Sequence, residues 1–273
     1  MKVFNSRKRR KRTCDRSQRR KEQQSSKRCT VHREMQGLKN SQSVCRSAPW
    51  NLKNWSHLQK QKSIDLCIVG MDDPLVGGLV DEMEAAGIRT FGPRKNAAIL
   101  EGSKAFSKDL MKKYHIPTAA YENFTDPDAA IAYLETAKFP IVLKADGLAL
   151  GKGVLICQNF EEAKEGVRTI MLDKKFGTAG NEMVIEEFMT GREVSVLSFV
   201  DGKTIKTMTS AQDHKRAGDG DTGLNTGGMG TFSPSPFYTK EVEEFCSEHI
   251  YQATVDAMAA EGREFKGVIL FLD

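Results

Sequence analysis

A hairpin with a glycine-rich loop is predicted by FPIVLKADGLALGKGVLICQ, residues 139–158, where two β-rich apolar runs flank a loop with three glycines. Glycines let backbone N–H groups close on phosphate oxygens, and lysines such as Lys144 and Lys152 place positive charge beside them. The loop is not a P-loop, because GxxxxGKS/T is absent and a strand rather than a helix follows. The stretch therefore predicts a phosphate-binding hairpin, although an ordinary glycine-rich turn explains the same residues equally well.

Helices alternate with hairpins around this stretch. Ser103 can cap one helix, and Thr125 with Asp128 resembles a capping box at the start of another. Apolar residues recur at helical spacing over 161–172, and Asp201-Gly202 is typical of a hairpin turn. The alternation predicts an α+β domain.

The region before this domain has a different pattern. IDLCIVG, residues 64–70, is a short apolar run that ends in glycine and predicts a buried parallel strand. One helix follows, with Asp72 and Asp73 at its start and Gly87 at its end, before IRTFGP supplies a second strand. These elements form only the tail of an open α/β unit, and the residues upstream offer no suitable strand. The predicted fold class is therefore the remnant of an open α/β domain followed by an α+β domain.

Residues 1–60 differ sharply in composition from the rest of the chain. They hold 18 Lys and Arg against 3 Asp and Glu, a net charge of +15, whereas the remaining residues carry a net charge of −10. Low apolar content with one sign of charge predicts disorder. Three interpretations of residues 1–61 stay open, in falling order of preference: a non-native stretch from a frame or start artefact, an inert tail, and a basic arm for nucleic acid or anionic membrane.

Composition argues against membrane and secreted classes. No apolar run approaches the roughly 20 residues of a spanning helix, and no apolar stretch typical of a secretory signal follows the basic start. The six cysteines form no CxxC pair or metal-ligand cluster. We expect reduced thiols and a cytoplasmic protein that contacts no membrane.

A long glycine-rich loop is predicted by SAQDHKRAGDGDTGLNTGGMGTFSP, residues 210–234. It holds three aspartates together with His214, Lys215 and Arg216, and almost no large apolar side chains. A loop of this length without a core is uncommon unless it is functional or disordered, and disorder would favour more Pro, Ser and Glu. The mixture suits a substrate that is both anionic and amino-bearing. His214 is expected to orient a group or donate a hydrogen bond, since no neighbouring His or Cys would complete a metal site.

Further charged residues lie at element ends. Lys104 at a helix start offers a second cation, although a lone lysine there is commonly solvated surface. The acids Glu186, Glu187 and Glu193 follow an apolar strand, where they could accept from an adenine amino group or ribose hydroxyls. Acidic strand ends are also common without any ligand.

Four motifs in this order resemble one enzyme family. The chain carries LEGSKAF, VLKADGLALGKGV, VIEEFMTGRE and AQDHKRAGDGDTGLNTGGMGTFSP, and is similar to glycinamide ribonucleotide synthetases (phosphoribosylamine–glycine ligases), ATP-grasp enzymes of purine biosynthesis. The similarity runs from about residue 62 to about residue 267. Other ATP-grasp ligases share the first three motifs, whereas the fourth is specific to this family and supports a functional expectation beyond the fold.

The resemblance implies an ATP-dependent ligase that forms a C–N bond. ATP would phosphorylate the carboxylate of glycine, and the amine of 5-phosphoribosylamine would attack the glycyl phosphate to give glycinamide ribonucleotide, ADP and phosphate. Catalysis would depend mainly on positioning and charge neutralisation. After the segment 1–61, residues 62–102 would be the remnant of the N-terminal α/β domain and residues 103–273 an incomplete ATP-grasp domain.

The resemblance also assigns candidate site residues. ATP would be bound by two lysines, the glycine-rich hairpin loop and residues around the adenine and ribose: Lys104, Lys144, Gly151, Lys152, Gly153, Glu186, Glu187, Phe188 and Glu193. Glycine and 5-phosphoribosylamine would be held by the long loop: Asp213, Thr222, Asn225, Gly227, Gly228, Met229 and Gly230. The candidate catalytic residues are Lys144, Asp213, His214, Lys215 and Arg216.

The chain also departs from the family at both ends. The family opens with a GxGGRE loop that binds the phosphoribosylamine phosphate, but here only Met1-Lys2-Val3 fits that start. The family continues past KGVI into acidic and Asn-Ala-Arg segments that bind Mg²⁺ or Mn²⁺, whereas this sequence ends at Asp273. We therefore assign no metal ligand and expect this chain to be weakly active or inactive.

Alternative functions stay open at this point. Another ATP-grasp carboxylate ligase would not require phosphoribosylamine in a substrate screen. Binding of nucleic acid through the basic arm would be salt-sensitive and would disappear on deletion of residues 1–60. A non-catalytic nucleotide-binding fragment would bind ATP and magnesium in calorimetry without turnover.

Overall fold

A computed structural model of the chain describes residues 3–6, 29–32, 42–44, 65–148, 153–220, 222–226 and 228–272. The chain divides into an N-terminal unit, Met1–Ala98, and a C-terminal unit, Ile99–Asp273. Within the described residues, no helix combines the length and the apolar character needed to cross a bilayer.

The N-terminal unit contains a parallel five-stranded sheet with the order β3-β2-β1-β4-β5. The strand predicted by IDLCIVG is confirmed as β4, and IRTFGP contains β5. Three short strands lie upstream of residue 62, where the sequence analysis found none suitable. The remnant of an open α/β domain is therefore observed with more strands than expected: β1 (Val3–Ser6), β2 (Cys29–His32), β3 (Gln42–Val44), β4 (Leu66–Val69) and β5 (Thr90–Phe91).

The helix predicted after β4 is divided into α1 (Asp72–Gly77) and α2 (Leu79–Ala85). Gly78 separates them, because its φ of 93° lies in the left-handed region that interrupts an α-helix. Met71 occupies the N-cap position without a side-chain hydrogen bond, so neither aspartate is the predicted cap. Apolar side chains of α2 pack on β4, and α3 (Lys95–Gly102) follows β5.

The C-terminal unit begins with an antiparallel four-stranded sheet of order β6-β9-β7-β8. The predicted glycine-rich hairpin is confirmed, because β7 and β8 pair directly and β7 also pairs with β9. The central strands β7 and β9 and the edge strand β8 all bring apolar residues to one core. The strands are β6 (Tyr121–Phe124), β7 (Ile141–Ala145), β8 (Val154–Cys157) and β9 (Met183–Glu187).

Three helices accompany this sheet: α4 (Lys104–Lys113), α5 (Pro127–Leu134) and α6 (Phe160–Val167). The apolar spacing over 161–172 is confirmed, but after α6 the chain continues as a π-helical turn, Arg168–Leu172. Ser103 caps α4 as predicted, by accepting from the Phe106 N–H. The predicted cap of α5 is wrong by one residue, since Asp126 rather than Thr125 accepts the first-turn N–H.

The remaining residues form a second antiparallel sheet of order β11-β10-β16 and two short ladders. The hairpin turn at Asp201-Gly202 is confirmed between β10 (Ser195–Asp201) and β11 (Ile205–Thr207). The long loop contains β12 (Gln212–Asp213), β13 (Arg216–Gly218), β14 (Thr222–Asn225) and β15 (Thr231–Phe232), with β12 paired to β15 and β13 to β14. The helices α7 (Lys240–Cys246) and α8 (Ala253–Ala260) flank a π-helical turn and precede β16 (Lys266–Leu272).

Candidate functional site

A buried carboxylate lies next to two lysines on one face of the four-stranded sheet. Glu186 on β9 lies opposite Val142 on β7, so Lys144, two residues further along β7, is its diagonal neighbour on the same face. The Lys144 Nζ atom is 2.7 Å from Glu186 Oε2. The Glu186 residue is 4% exposed, whereas 28% of the Lys144 side chain is exposed. Strand register therefore brings together two residues that the sequence analysis placed in the ATP site.

The second lysine, Lys108, was not singled out from the sequence. It lies on α4, and its Nζ atom is 3.3 Å from the same Glu186 oxygen and 2.8 Å from the Thr118 hydroxyl oxygen. Burial lowers the pKa of Lys108, while attraction to Glu186 opposes that effect. Lys108 lies four residues after Lys104 and therefore on the same face of the helix, and this spacing could have identified Lys108 from the sequence.

The other carboxylate oxygen of Glu186 lacks a partner. Glu186 Oε1 is buried and accepts no hydrogen bond from the described residues. A buried acceptor without a donor is unfavourable, and native proteins rarely leave one unless a ligand or water completes it. The atom is therefore a ready acceptor for an N–H or O–H group of a ligand.

A hydrogen bond from Lys104 connects α4 to the start of the glycine-rich loop. Its Nζ atom donates to the Gly147 carbonyl oxygen at 2.7 Å, and the Asp146 carboxylate accepts from the Ala105 N–H at 3.0 Å. Burial lowers the pKa of Lys104, although Glu101 and Asp146 attract its proton. Lys104 is thus a cation held at the start of the loop by a backbone carbonyl, and its contact with a phosphate stays a prediction.

The residues that follow Glu186 have separate roles. Glu187 Oε1 accepts from the Ala120 N–H at 2.8 Å, and the Glu187 N–H donates to the Ala120 carbonyl, so this residue holds the segment before β6. Phe188 is 36% exposed and presents an aromatic surface. The Glu193 carboxylate is 48% exposed and forms an ion pair with Lys215 of the long loop.

The long loop is ordered by its own short ladders around His214. The His214 N–H donates to the Gly230 carbonyl at 2.9 Å, and the Met229 N–H donates to the His214 carbonyl at 2.7 Å. The His214 ring lies 5.7 Å from that of Phe232. The two backbone hydrogen bonds hold the glycine-containing segment beside β12, and the orienting or hydrogen-bonding role of the His214 side chain stays a prediction.

Lys215 links this loop to the residues after β9. Its Nζ atom contacts Glu193 and lies 3.8 Å from Asp213 Oδ1, and burial lowers its pKa. The Thr226 hydroxyl donates to the Lys215 carbonyl and accepts from the Gly228 N–H. Candidate nucleotide and substrate residues are therefore adjacent at Glu193 and Lys215.

Several predicted site residues, or their side chains, lie outside the part of the chain that the structure describes. Gly151, Lys152 and Gly227 lie outside the described residues, as do the side chains of Arg216 and Asn225. Gly153 directly precedes β8, and its carbonyl accepts from the Ala145 N–H. Thr222 opens β14, and its hydroxyl donates to the Asp219 carbonyl.

No metal centre is formed by the described residues, in that no three His, Cys, Asp or Glu side chains are grouped to hold an ion. The residues that the structure describes do not fit a divalent metal by themselves.

Comparison with known families accounts for both units. The model of the phosphoribosylglycinamide synthetase ATP-grasp (A) domain matches residues 102–272, and that of the phosphoribosylglycinamide synthetase N domain matches residues 17–101. The chain belongs to the phosphoribosylglycinamide synthetase family. The N-domain match begins upstream of residue 62, where the similarity recognised from motifs began.

Individual relatives agree with membership of the phosphoribosylglycinamide synthetase family. Phosphoribosylamine–glycine ligase of Pasteurella multocida (strain Pm70) is 51% identical over 206 residues, 76% of this chain and 48% of that protein. The ligase of Escherichia coli (strain K12) is 50% identical over 210 residues, 77% of this chain and 49% of that protein. The chain thus spans about half the length of these curated relatives.

Solved structures confirm the ATP-grasp fold. Phosphoribosylamine–glycine ligase of Thermotoga maritima superposes with a TM-score of 0.73 at 29% identity, covering 90% of this chain and 59% of that one. A biotin carboxylase of Campylobacter jejuni gives a TM-score of 0.65 at 15% identity, covering 90% of this chain and 56% of that one. The second likeness shows the fold alone. Membership of the phosphoribosylglycinamide synthetase family therefore rests on the family models and the ligases.

Proposed function

We propose that this chain carries the nucleotide-binding part of a ligase that joins glycine to 5-phosphoribosylamine at the expense of ATP. The observation that carries the proposal is the cluster of Lys104, Lys144 and Glu186 beside the glycine-rich hairpin. Two cations at a glycine-rich loop suit a polyphosphate, and a buried free acceptor next to them suits an amino group. Family membership and the names of the relatives support the same reaction.

The proposed reaction has two steps. The glycine carboxylate attacks the terminal phosphorus of ATP, forming a glycyl phosphate and releasing ADP. The amine of 5-phosphoribosylamine then attacks the carbonyl carbon, a C–N bond forms, the C–O bond to phosphate breaks, and the amine loses a proton. Because negative charge moves between oxygens, a rigid set of positive groups lowers the barrier more than flexible ones would.

Within this scheme the nucleotide residues bind and orient. Lys104 and Lys144 contact phosphate oxygens, and the family resemblance assigns the glycine-rich hairpin loop to the same phosphates. Glu186 Oε1 accepts from the adenine amino group, while Phe188 offers a face for the base. The Glu193 carboxylate accepts a hydrogen bond from a ribose hydroxyl. Because Lys215 is paired with this carboxylate, Lys215 must either bind it together with the ribose or move away from it.

The long loop is proposed to hold the two other substrates. Lys215 supplies a cation for the carboxylate of glycine, and Asp213 attracts an ammonium group. The backbone of the segment around Met229 leaves room for a close approach, since Gly228 and Gly230 carry no side chains. His214 orients this segment through its backbone.

A divalent ion would neutralise ATP phosphates in this class of reaction. Since the described residues do not fit such an ion, we derive no step through Mg²⁺ or Mn²⁺ from this chain.

We propose the cytoplasm as the location of the reaction, because Cys67 and Cys157 are free and buried and thiols remain reduced there.

Calorimetric titration of the purified chain with ATP tests nucleotide binding. Lys144→Met is expected to weaken ATP binding by roughly tenfold or more, the worth of one hydrogen bond to a charged group. Lys164→Met, on α6, should leave the affinity within about twofold, as expected of a surface lysine. Absence of ATP binding by the wild-type chain would refute the proposal.

Substrate dependence is tested separately by measuring ADP release with glycine and 5-phosphoribosylamine, each omitted in turn. Release that requires both compounds supports the ligase. Release that continues without the ribosylamine, or that requires a different carboxylate or amine, would point to another ATP-grasp ligase.

A further inference from the structure

Two ammonium groups share one oxygen of a buried carboxylate. Lys108 and Lys144 approach Glu186 Oε2 at 3.3 and 2.7 Å, from α4 and β7 respectively. One lysine would suffice to neutralise one carboxylate. The second positive charge therefore calls for a separate explanation.

The two lysines differ in how firmly they are held. Only 10% of the Lys108 side chain is exposed, and its Nζ atom is also bonded to the Thr118 hydroxyl at 2.8 Å. The Lys144 side chain is more exposed, and its only described hydrogen bond is the one to Glu186. Lys144 can turn toward solvent or a ligand, whereas Lys108 has no such freedom.

Movement of Lys144 requires a substitute for its charge. A buried carboxylate left without a counter-ion is strongly unfavourable, because its lost hydration is not replaced. If Lys144 alone neutralised Glu186, any phosphate would have to compete with that ion pair. Lys108 removes this competition, since it stays beside Glu186 when Lys144 departs.

We propose that Lys108 is a positioning residue, the standing counter-ion of Glu186 that releases Lys144 to contact the phosphates of a bound nucleotide. This inference rests on the proposed ATP site. Lys108 lies outside the four family motifs, and it acts on ligand binding through Lys144 rather than by contact with the ligand.

A purely structural role for Lys108 makes a different prediction. If Lys108 only joins α4 to β9, its loss should weaken all nucleoside ligands alike. If it releases Lys144, its loss should weaken ligands that carry phosphates and spare adenosine. The ratio of ATP to adenosine affinity therefore separates the two roles.

The experiment is calorimetric titration of the whole chain with ATP and with adenosine. Lys108→Met is expected to lower ATP affinity by roughly tenfold while adenosine affinity changes by less than about twofold. Lys112→Met is the matched control, because Lys112 lies one turn further along α4 than Lys108. The Nζ atoms of Lys112 and Lys108 lie 5.3 and 5.7 Å from the centre of the Tyr121 ring. Unlike Lys108, Lys112 is exposed and pairs with Glu122 instead of Glu186. Lys112→Met should change neither affinity.

A second variant keeps the test independent of folding. Thr118→Val removes only the tether of Lys108 and should lower ATP affinity by roughly two- to fivefold without affecting adenosine. In a Lys144→Met background, substitution of Lys108 should cause no further ATP-specific loss, because there is no lysine left to release.

The possible results separate the two proposals. A wild-type chain that binds neither ligand would overturn the ATP site and this inference together. A wild-type chain that binds ATP, with variants that lose ATP and adenosine equally or lose neither, would overturn the role of Lys108 alone.

Discussion

Replacement of Glu186 by glutamine measures what one buried carboxylate contributes to the C-terminal unit. The substitution keeps the shape of the side chain but leaves Lys108, which is almost fully buried, without its counter-ion. Breaking a buried ion pair by removing one partner costs about 3–5 kcal/mol. We expect the lower end, about 3 kcal/mol, because the second lysine, Lys144, is partly exposed and can turn to water.

The assay is unfolding of the whole chain, followed by circular dichroism in urea and on heating. For a unit of this size, about 3 kcal/mol corresponds to a fall in melting temperature of roughly 6–12 °C. Glu193→Gln is the matched control, because its carboxylate is half exposed and pairs with Lys215. An exposed pair contributes up to about 1 kcal/mol, so the control should lose much less stability.

The pH dependence of the Glu186→Gln variant gives a second measurement. Burial holds the pKa of Lys108 in the folded chain below its unfolded value of 10.5, so the folded state releases this proton first as pH rises. Between the folded and unfolded values the unfolded chain binds more protons, and stability therefore rises with pH. Loss of the attraction to Glu186 lowers the folded pKa further. The stability gap between variant and wild type should narrow as pH is raised from neutral toward 10.

Two results would refute this reasoning. A Glu186→Gln variant within about 0.5 kcal/mol of the wild type, the range of an ordinary surface substitution, would mean that Lys108 does not depend on the carboxylate. A difference in free energy of unfolding between the variant and the wild type that stays constant from neutral to alkaline pH would mean that unpaired Lys108 does not cause the destabilisation.

Three further predictions concern packing and acid stability. Gly180→Ala should destabilise the chain by roughly 2 kcal/mol in urea unfolding, because the new Cβ would lie 2.0 Å from the Ile170 carbonyl oxygen. Leu143→Ala should cost about 3 kcal/mol in the same assay, since it empties a fully buried position in β7. Hydrogen bonds from a lysine and a tyrosine hold the pKa of Glu261 below 4.5, so its contribution is present above that pH and is lost as pH falls through the folded value. Acid unfolding of Glu261→Gln should therefore be less steep than that of the wild type.

Matched positions provide the controls for these predictions. Gly191→Ala introduces a Cβ with no atom within 4 Å, and Leu172 is largely exposed. Alanine at either position should change stability by less than about 0.5 kcal/mol. Equal losses at Gly180 and Gly191, or at Leu143 and Leu172, would contradict the packing argument. Superimposable acid curves for wild type and Glu261→Gln would contradict the linkage argument.

Local chemistry made much of the fold predictable. The cap at Ser103, the hairpin of β7 and β8, the turn at Asp201-Gly202 and the helical spacing over 161–172 depend on residues close in sequence. Capping, turn formation and amphipathic spacing are short-range effects, so the local sequence predicts them. Two corrections concern boundaries, the break at Gly78 and the cap at Asp126, where adjacent residues compete for one role. The larger correction is the three strands upstream of residue 62, which the local sequence did not indicate.

The sequence by itself determined the family, through four motifs in order, and the residue types of the candidate site. Only the tertiary structure decided which residues share a partner. It paired β1 with β4 and the other upstream strands in turn with β1, set Glu186 diagonally from Lys144, and brought Lys108, bonded to Thr118, to the same carboxylate. These contacts join positions 10 to 78 residues apart, and their energy depends on strand register and on burial from water. Neither quantity is a property of a short stretch of sequence, because both arise only when distant segments pack together.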